Sequence, residues 1–217
     1  MGAEWERNNK DMGVPKGRRK QSRFEAQHQY YRLRSEVTNL MLQDFGFSEE
    51  KYQKAIERYR ETHKSASNVD EVVARYEKKC RAFAKWFIDK ECDAVLEILR
   101  NIEVEFTVGN SIYPSETPAK LMEFLVRRWH MNRAIGYCYA LKQELNYIIR
   151  TLPVNINKFE RFAEAIDKQI ALYRGVRQSD NRLIKPNREG TVEQDIIQIF
   201  NGIASVIKRI GKIEAKS

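Results

Sequence analysis

Residues 68–102 read NVDEVVARYEKKCRAFAKWFIDKECDAVLEILRNI and contain neither glycine nor proline. Apolar side chains recur through them at spacings of three and four, which is the period of one helical face. They are Val72, Val73, Tyr76, Cys80, Phe83, Phe87, Val95, Ile98, Leu99 and Ile102. Asn68 suits an N-cap, and a helix of roughly 35 residues would be about 50 Å long. Such a long amphipathic helix predicts a helical bundle.

The segment before this helix predicts two further helices. The first has one apolar face and ends near Gly46, a natural stop. Its face consists of Tyr30, Leu33, Val37, Leu40, Met41 and Phe45. Ser48 can cap a second, short helix that carries Tyr52, Ile56 and Tyr59.

The segment after residue 102 is ambiguous at first and then helical. In VEFTVGNSIYP, residues 104–114, apolar and polar residues alternate, which fits a short strand or an extended loop. Thr117-Pro118 is a start signal for the next helix, and Leu152-Pro153 is a stop. The apolar stripe between these signals is Leu121, Leu125, Trp129, Ile135, Cys138, Leu141, Leu145 and Ile148.

Two more helices are predicted in the last third of the chain. Asn157 begins the first, and Gly175 closes it. Its face is formed by Phe159, Phe162, Ile166, Ile170 and Tyr173. Residues 177–182 follow as a polar turn between arginines. A capping box of Thr191 and Gln194 begins a last helix bearing Ile196, Ile199, Phe200, Ile203, Ile207 and Ile210.

The composition agrees with an all-α protein. Of 217 residues, 42% are hydrophobic and only 5 are proline and 10 glycine, so long helices are favoured over a turn-rich all-β domain. We expect a single helical-bundle domain of five to six helices over 24–217, after a flexible basic arm at 1–23. Cys80, Cys92 and Cys138 cannot form a disulfide framework, which favours a reducing, cytoplasmic location. We expect neither a signal peptide nor a membrane span.

The net charge of +9 is unevenly distributed along the chain. Residues 1–23 carry 7 basic and 3 acidic side chains, and residues 24–117 carry 14 and 17. Residues 118–150 carry 6 and 2, and residues 151–217 carry 12 and 8. The excess of positive charge therefore lies in the arm and in the basic half at 118–217, whereas the region 24–117 is acidic-leaning.

Arginine predominates in the basic half, and its planar fork binds phosphate bidentately. We therefore predict that clustered arginines and lysines contact nucleic acid, with Tyr137, Tyr139 and Tyr173 available to stack on unpaired bases. The candidate residues are Arg127, Arg128, Arg133, Arg174, Arg177, Arg182, Lys185 and Arg188, together with Arg18, Arg19 and Lys20 of the arm. The alternative is a basic face that merely pairs with the acidic-leaning half.

No catalytic or metal-binding pattern is recognisable in the sequence. His28, His63 and His130 lie on separate predicted elements outside any zinc-binding spacing, and no glycine loop for a nucleotide is present. Glu144 and Glu164 are the carboxylates within apolar helices to check for burial. We therefore expect a protein that is not an enzyme and has no cofactor.

The block from Arg127 to Lys185 combines a long helix, a Leu-Pro break, a second helix and a basic exit. It resembles the helical hairpin of the accessory variability determinant (Avd) family, the four-helix-bundle proteins that accompany reverse transcriptases in diversity-generating retroelements. The resemblance implies a non-catalytic, basic oligomer that holds a reverse transcriptase and its template RNA. This chain is longer than the family pattern, with an acidic-leaning helical region before the block and an extra predicted helix after it.

The sequence thus predicts a non-catalytic protein that binds nucleic acid, with RNA favoured over DNA, as an accessory to an enzyme such as a reverse transcriptase. A second hypothesis is a homo-oligomeric scaffold, a structural component of a phage or mobile element. In that case the acidic-leaning and basic halves would meet between subunits. Neither hypothesis involves a membrane.

Overall fold

The computed structural model describes residues 23–113 and 120–184, and in these ranges the chain is all-α. The described residues form five α-helices and no strand, which confirms the predicted helical bundle. The helices are α1 (Arg23–Met41), α2 (Glu49–Thr62), α3 (Val69–Ser111), α4 (Lys120–Thr151) and α5 (Asn157–Ile184).

Helices α1, α3, α4 and α5 share one hydrophobic core. Each contributes one buried stripe, and the residues that were expected to form the stripes of α1 and α5 are all buried. Helix α4 runs antiparallel to α5, because Asn132 contacts Arg177 whereas Lys142, further along α4, contacts Asp167 earlier in α5. Short connections between antiparallel neighbours are the usual arrangement of a helical bundle.

Helix α2 lies beside the first turns of α3 and forms a small second core of Tyr52, Ile56 and Val73. The Ser48 side chain accepts a hydrogen bond from the Lys51 backbone N–H, as expected of a cap. Before it, Asp44, Phe45 and Gly46 all have positive φ. Only Gly46 adopts this left-handed region without strain, so burial of Phe45 has to offset the strain at the two other residues of this sharp turn. Phe45 is thereby directed into the main core.

Helix α3 approaches α4 closely at Gly109. A Cβ at this position would lie 3.0 Å from His130 Cβ and 3.0 Å from Met131 Cε. The absence of a side chain therefore allows the two helices to come together at this point.

Two local predictions were wrong, in both cases because packing outweighed local signals. Residues 104–111 form the last turns of α3, neither strand nor loop, since Phe106 is buried in phase with Ile102. Gly175 does not close a helix: α5 continues through Arg177–Arg182 to Ile184, with Val176 fully buried. One glycine costs about 1 kcal/mol in a helix, and burial of a valine offsets such a cost.

Contacts between Cα atoms divide the chain into two compact units, residues 1–179 and 180–217. The bundle core belongs to the first unit, and only the end of α5 is described for the second. The predicted basic arm, the Thr117-Pro118 start and the helix from Thr191 lie outside the described residues, so the single-domain prediction for 24–217 stays a prediction. Within the described part, no helix has the length and apolar character required to cross a membrane.

Candidate nucleic-acid interface

Helix α4 exposes large apolar side chains on the face opposite the core. The buried face includes Met131, Ala134, Cys138 and Leu141, whereas Trp129 is 53% exposed. Leu125 and Trp129 were predicted to belong to the core stripe, and this assignment was wrong. Counting back from Cys138 by alternating steps of four and three gives 134, 131 and 127, so positions 125 and 129 fall out of phase with the core.

Two arginines of α5 are held against α4 by uncharged side chains. Arg174 Nη2 donates to the Tyr139 hydroxyl oxygen at 2.7 Å, and Arg177 Nη1 donates to Asn132 Oδ1 at 2.6 Å. Among the described residues, neither arginine forms an ion pair with a carboxylate. Their positive charges are therefore oriented by hydrogen bonds but are not neutralised by them.

Arg128 lies on the same side of α4 as these partners. Arg128, Asn132 and Tyr139 are four and seven residues apart, a spacing that places them along one helical face. Arg128 is exposed, and so is Arg174. The structure thus brings together Arg128, Arg174 and Arg177 from the predicted set. We call these three arginines with Asn132 and Tyr139 the α4–α5 face.

Arg133 points to the other side of α4 and has a carboxylate partner. Its Nε donates to Glu105 Oε1 at 2.6 Å, and its guanidinium lies 4.7 Å from the centre of the Trp129 ring. Burial alone would raise the pKa of Glu105, but hydrogen bonds from His130 and Arg133 outweigh it and hold that pKa below its usual value. The ion pair also raises the pKa of Arg133. Arg133 is therefore less available to phosphate than Arg174.

Arg127 does not face solvent, and its assignment to phosphate binding was wrong. Its side chain is fully buried, and Nη1 donates to the Ile112 carbonyl oxygen at 2.9 Å. Ile112 directly follows α3, where the last carbonyl groups of a helix lack intrahelical partners. Arg127 therefore fixes the end of α3 on α4.

The remaining candidates cannot be placed on this surface. The backbone of Arg182 belongs to α5, but its side chain lies outside the described residues. Five further candidates lie wholly outside the described residues: Arg18, Arg19, Lys20, Lys185 and Arg188.

The aromatic residues near the arginines divide into buried and exposed ones. Tyr173 is fully buried and packs on Phe106 with ring centroids 4.7 Å apart, so the prediction that it stacks on bases was wrong. Tyr137 is half-buried, and Tyr139 is 42% exposed. Trp129 and Asn132 were missed by the sequence argument, although the phase of the core stripe could have shown Trp129 to be outside it.

Of the two carboxylates that were to be checked, Glu144 is half-buried and Glu164 is exposed. Glu144 faces Glu91 of α3, which is buried and whose Oε2 has no hydrogen-bond donor. Burial, a hydrogen bond with Glu144 and repulsion from its charge raise the pKa of Glu91 to about 7. Glu91 is therefore partly protonated near neutral pH.

The α4–α5 face combines oriented cations, an amide and an exposed phenol ring, which are groups that contact phosphates and bases. Comparison with protein-family models, curated proteins and solved structures gives no significant match for this chain.

Proposed function

We propose that this protein binds nucleic acid through the α4–α5 face, with RNA favoured over DNA, and serves without catalysis as an accessory to a nucleic-acid enzyme such as a reverse transcriptase. The observation that carries the proposal is the placement of Arg174 and Arg177, one turn apart on α5 and bonded to neutral side chains of α4. Cations held in this way can exchange counterions for phosphates, which is the main driving force of nucleic-acid binding.

The charges elsewhere in the first unit support the choice of this face. In the acidic-leaning region, most of the described arginines pair with carboxylates of the same or a neighbouring helix. Examples are Arg32 with Glu36, Arg60 with Asp70, Arg75 with Glu71 and Arg81 with Glu49. A phosphate would have to displace a carboxylate there, whereas at Arg174 and Arg177 it would not.

The exposed aromatic rings of α4 favour unpaired strands. Tyr139 is fixed by its bond from Arg174, and Trp129 lies on the neighbouring stripe of the helix. Exposed rings beside cations are the means by which single strands are bound without sequence specificity, because every base has a stacking face. The preference for RNA and the role beside a reverse transcriptase come from the resemblance of residues 127–185 to the Avd family.

Charge reversal on the α4–α5 face tests the proposal. The double variant Arg174→Glu/Arg177→Glu should weaken binding of a fluorescein-labelled 20-nucleotide RNA by at least tenfold in fluorescence anisotropy at about 100 mM salt. Arg58→Glu/Lys78→Glu is the control, because it changes the net charge equally at exposed positions of α2 and α3. If both variants lost RNA affinity equally, only the total charge would matter. If neither variant lost RNA affinity, the proposed site would be refuted.

A scaffold remains the second candidate function, and one surface favours it. Met122, Leu125 and Val126 are exposed on the first half of α4, and apolar side chains next to one another on a surface often mark a contact between proteins. Light scattering in low and high salt tests this candidate. A scaffold formed by opposite charges should be oligomeric alone and lose mass in high salt, whereas one formed through this apolar surface should keep its mass there. A monomer at both salt concentrations excludes both.

A further inference from the structure

A groove of about 510 Å³ opens between α2, α3 and the end of α4, far along α4 from Arg128. Its walls are mostly apolar and aromatic, and include Tyr52, Ile56, Tyr76, Phe83 and Leu152. Small-molecule sites have volumes of roughly 300–1,000 Å³ and the same apolar character, with a few polar groups that orient the ligand.

The aromatic side chains of the wall already have partners. The Tyr52 hydroxyl donates to the Glu77 carbonyl oxygen at 2.8 Å. The Tyr76 ring is stacked on Tyr59, with centroids 3.7 Å apart. Because these rings are held in place, the wall offers a preformed apolar surface.

The groove is also positively charged. Lys79 of α3 and Arg150 in the last turn of α4 line it, and neither forms an ion pair with a described residue. Arg81, only two residues beyond Lys79, is by contrast neutralised by Glu49 at 2.6 Å. Among the described residues that line the groove, none is acidic. An occupant with a negative charge therefore meets two cations and no repelling carboxylate.

We propose that this groove binds an amphipathic anion, a small molecule with one carboxylate on an apolar body of about ten carbon atoms. The body would lie against Tyr52, Ile56 and Phe83, and the carboxylate would lie between Lys79 and Arg150. The volume sets the size of the ligand, the walls require an apolar body, and the two cations require the negative charge. This site is independent of nucleic-acid binding at the α4–α5 face.

Decanoate and decanol test the proposal on the full-length protein. Decanoate should displace the fluorescent anion 1-anilinonaphthalene-8-sulfonate from the groove, and decanol, which has the same chain without the charge, should bind at least tenfold more weakly. Lys79→Glu/Arg150→Glu should weaken decanoate binding at least tenfold. Equal affinities for decanoate and decanol, or an unchanged affinity in this variant, would overturn the role of the two cations.

A filling variant tests the location. Ala55 is an exposed residue that lines the groove, so Ala55→Trp should abolish decanoate binding without disturbing the core. Ala82→Trp, at an exposed position of α3 outside the lining, is the matched control and should bind as the wild type does. Binding that persists in Ala55→Trp would overturn the proposal. The proposal would also be overturned if decanoate failed to bind the wild type and Ala55→Trp changed the oligomeric mass of the protein in solution. The occupant of the groove would then be a second copy of the chain.

Discussion

Adjacent arginines on α4 have opposite environments, although the sequence presents them as a pair. Arg127 lies in the core and Arg128 is exposed. A buried arginine that donates to a backbone carbonyl stabilises the fold, and its removal leaves that carbonyl without a partner. An exposed arginine contributes little to the stability of the fold.

Substitution of each arginine should separate stability from binding. We expect Arg127→Ala to lower the free energy of unfolding by about 2–4 kcal/mol, because a buried hydrogen bond and the packing of a large side chain are lost. Arg128→Ala should change it by less than about 0.5 kcal/mol and weaken RNA binding instead. Urea unfolding and anisotropy measure the two effects. A stability loss for Arg128→Ala as large as that for Arg127→Ala would contradict these assignments.

The buried carboxyl group of Glu91 makes stability depend on pH. The pKa of Glu91 is raised to about 7 in the folded protein, above its value in the unfolded chain. The folded state therefore binds more protons than the unfolded chain. The stability that this proton binding contributes is fully present below about pH 4.5 and is lost as the pH rises through 7.

Replacement of Glu91 should remove the destabilisation that its buried negative charge causes at high pH. At pH 8, Glu91→Gln should raise the free energy of unfolding by about 1–2 kcal/mol, since the amide can donate to Glu144. At pH 5 the gain should largely disappear, because Glu91 is then protonated. Thermal unfolding by circular dichroism at both pH values provides the measurement. Glu164→Gln, at an exposed position of α5, is the control, and a similar pH profile for both variants would refute the interpretation.

Most helix boundaries could be predicted because their signals are local. Ser48 caps α2, Asn68 precedes α3, and Pro153 follows the end of α4. The continuation of α5 past Gly175 could not be predicted, because it depends on the burial of Val176 by other helices. The same limit applies to Arg127, whose partner at Ile112 is 15 residues away and requires α3 and α4 to be packed together.

Two glycines on neighbouring helices should respond differently to alanine. Gly136→Ala should raise the free energy of unfolding by about 0.5–1 kcal/mol, because alanine favours a helix and no atom lies within 4 Å of the new Cβ. Gly109→Ala should instead lower it by about 1 kcal/mol, because the close approach of α3 to α4 leaves no room for a Cβ. Chemical denaturation of both variants tests this difference, and equal stabilisation would show that the two helices are not in close contact there.

At the scale of the whole molecule, the division of charge along the sequence corresponds to a difference in pairing. Several cations of the acidic-leaning region are neutralised by carboxylates, as in Lys54 with Glu50 and Arg34 with Glu103. In the basic half, Lys142 pairs with Asp167 and Arg133 with Glu105, whereas Arg174 and Arg177 bond only to neutral groups among the described residues. The sum of charges indicated a basic surface, but only packing of α5 on α4 could show which arginines form it.

The salt dependence of RNA binding tests the central claim most directly. For the wild type, the logarithm of the affinity for a 20-nucleotide single strand should fall linearly with the logarithm of the salt concentration, with a slope of about −0.7 for each phosphate contacted. Arg174→Gln/Arg177→Gln should make this slope shallower by about 1.4, since two contacts are lost. The same slope in the wild type and the variant would contradict the assignment of phosphate binding to the α4–α5 face.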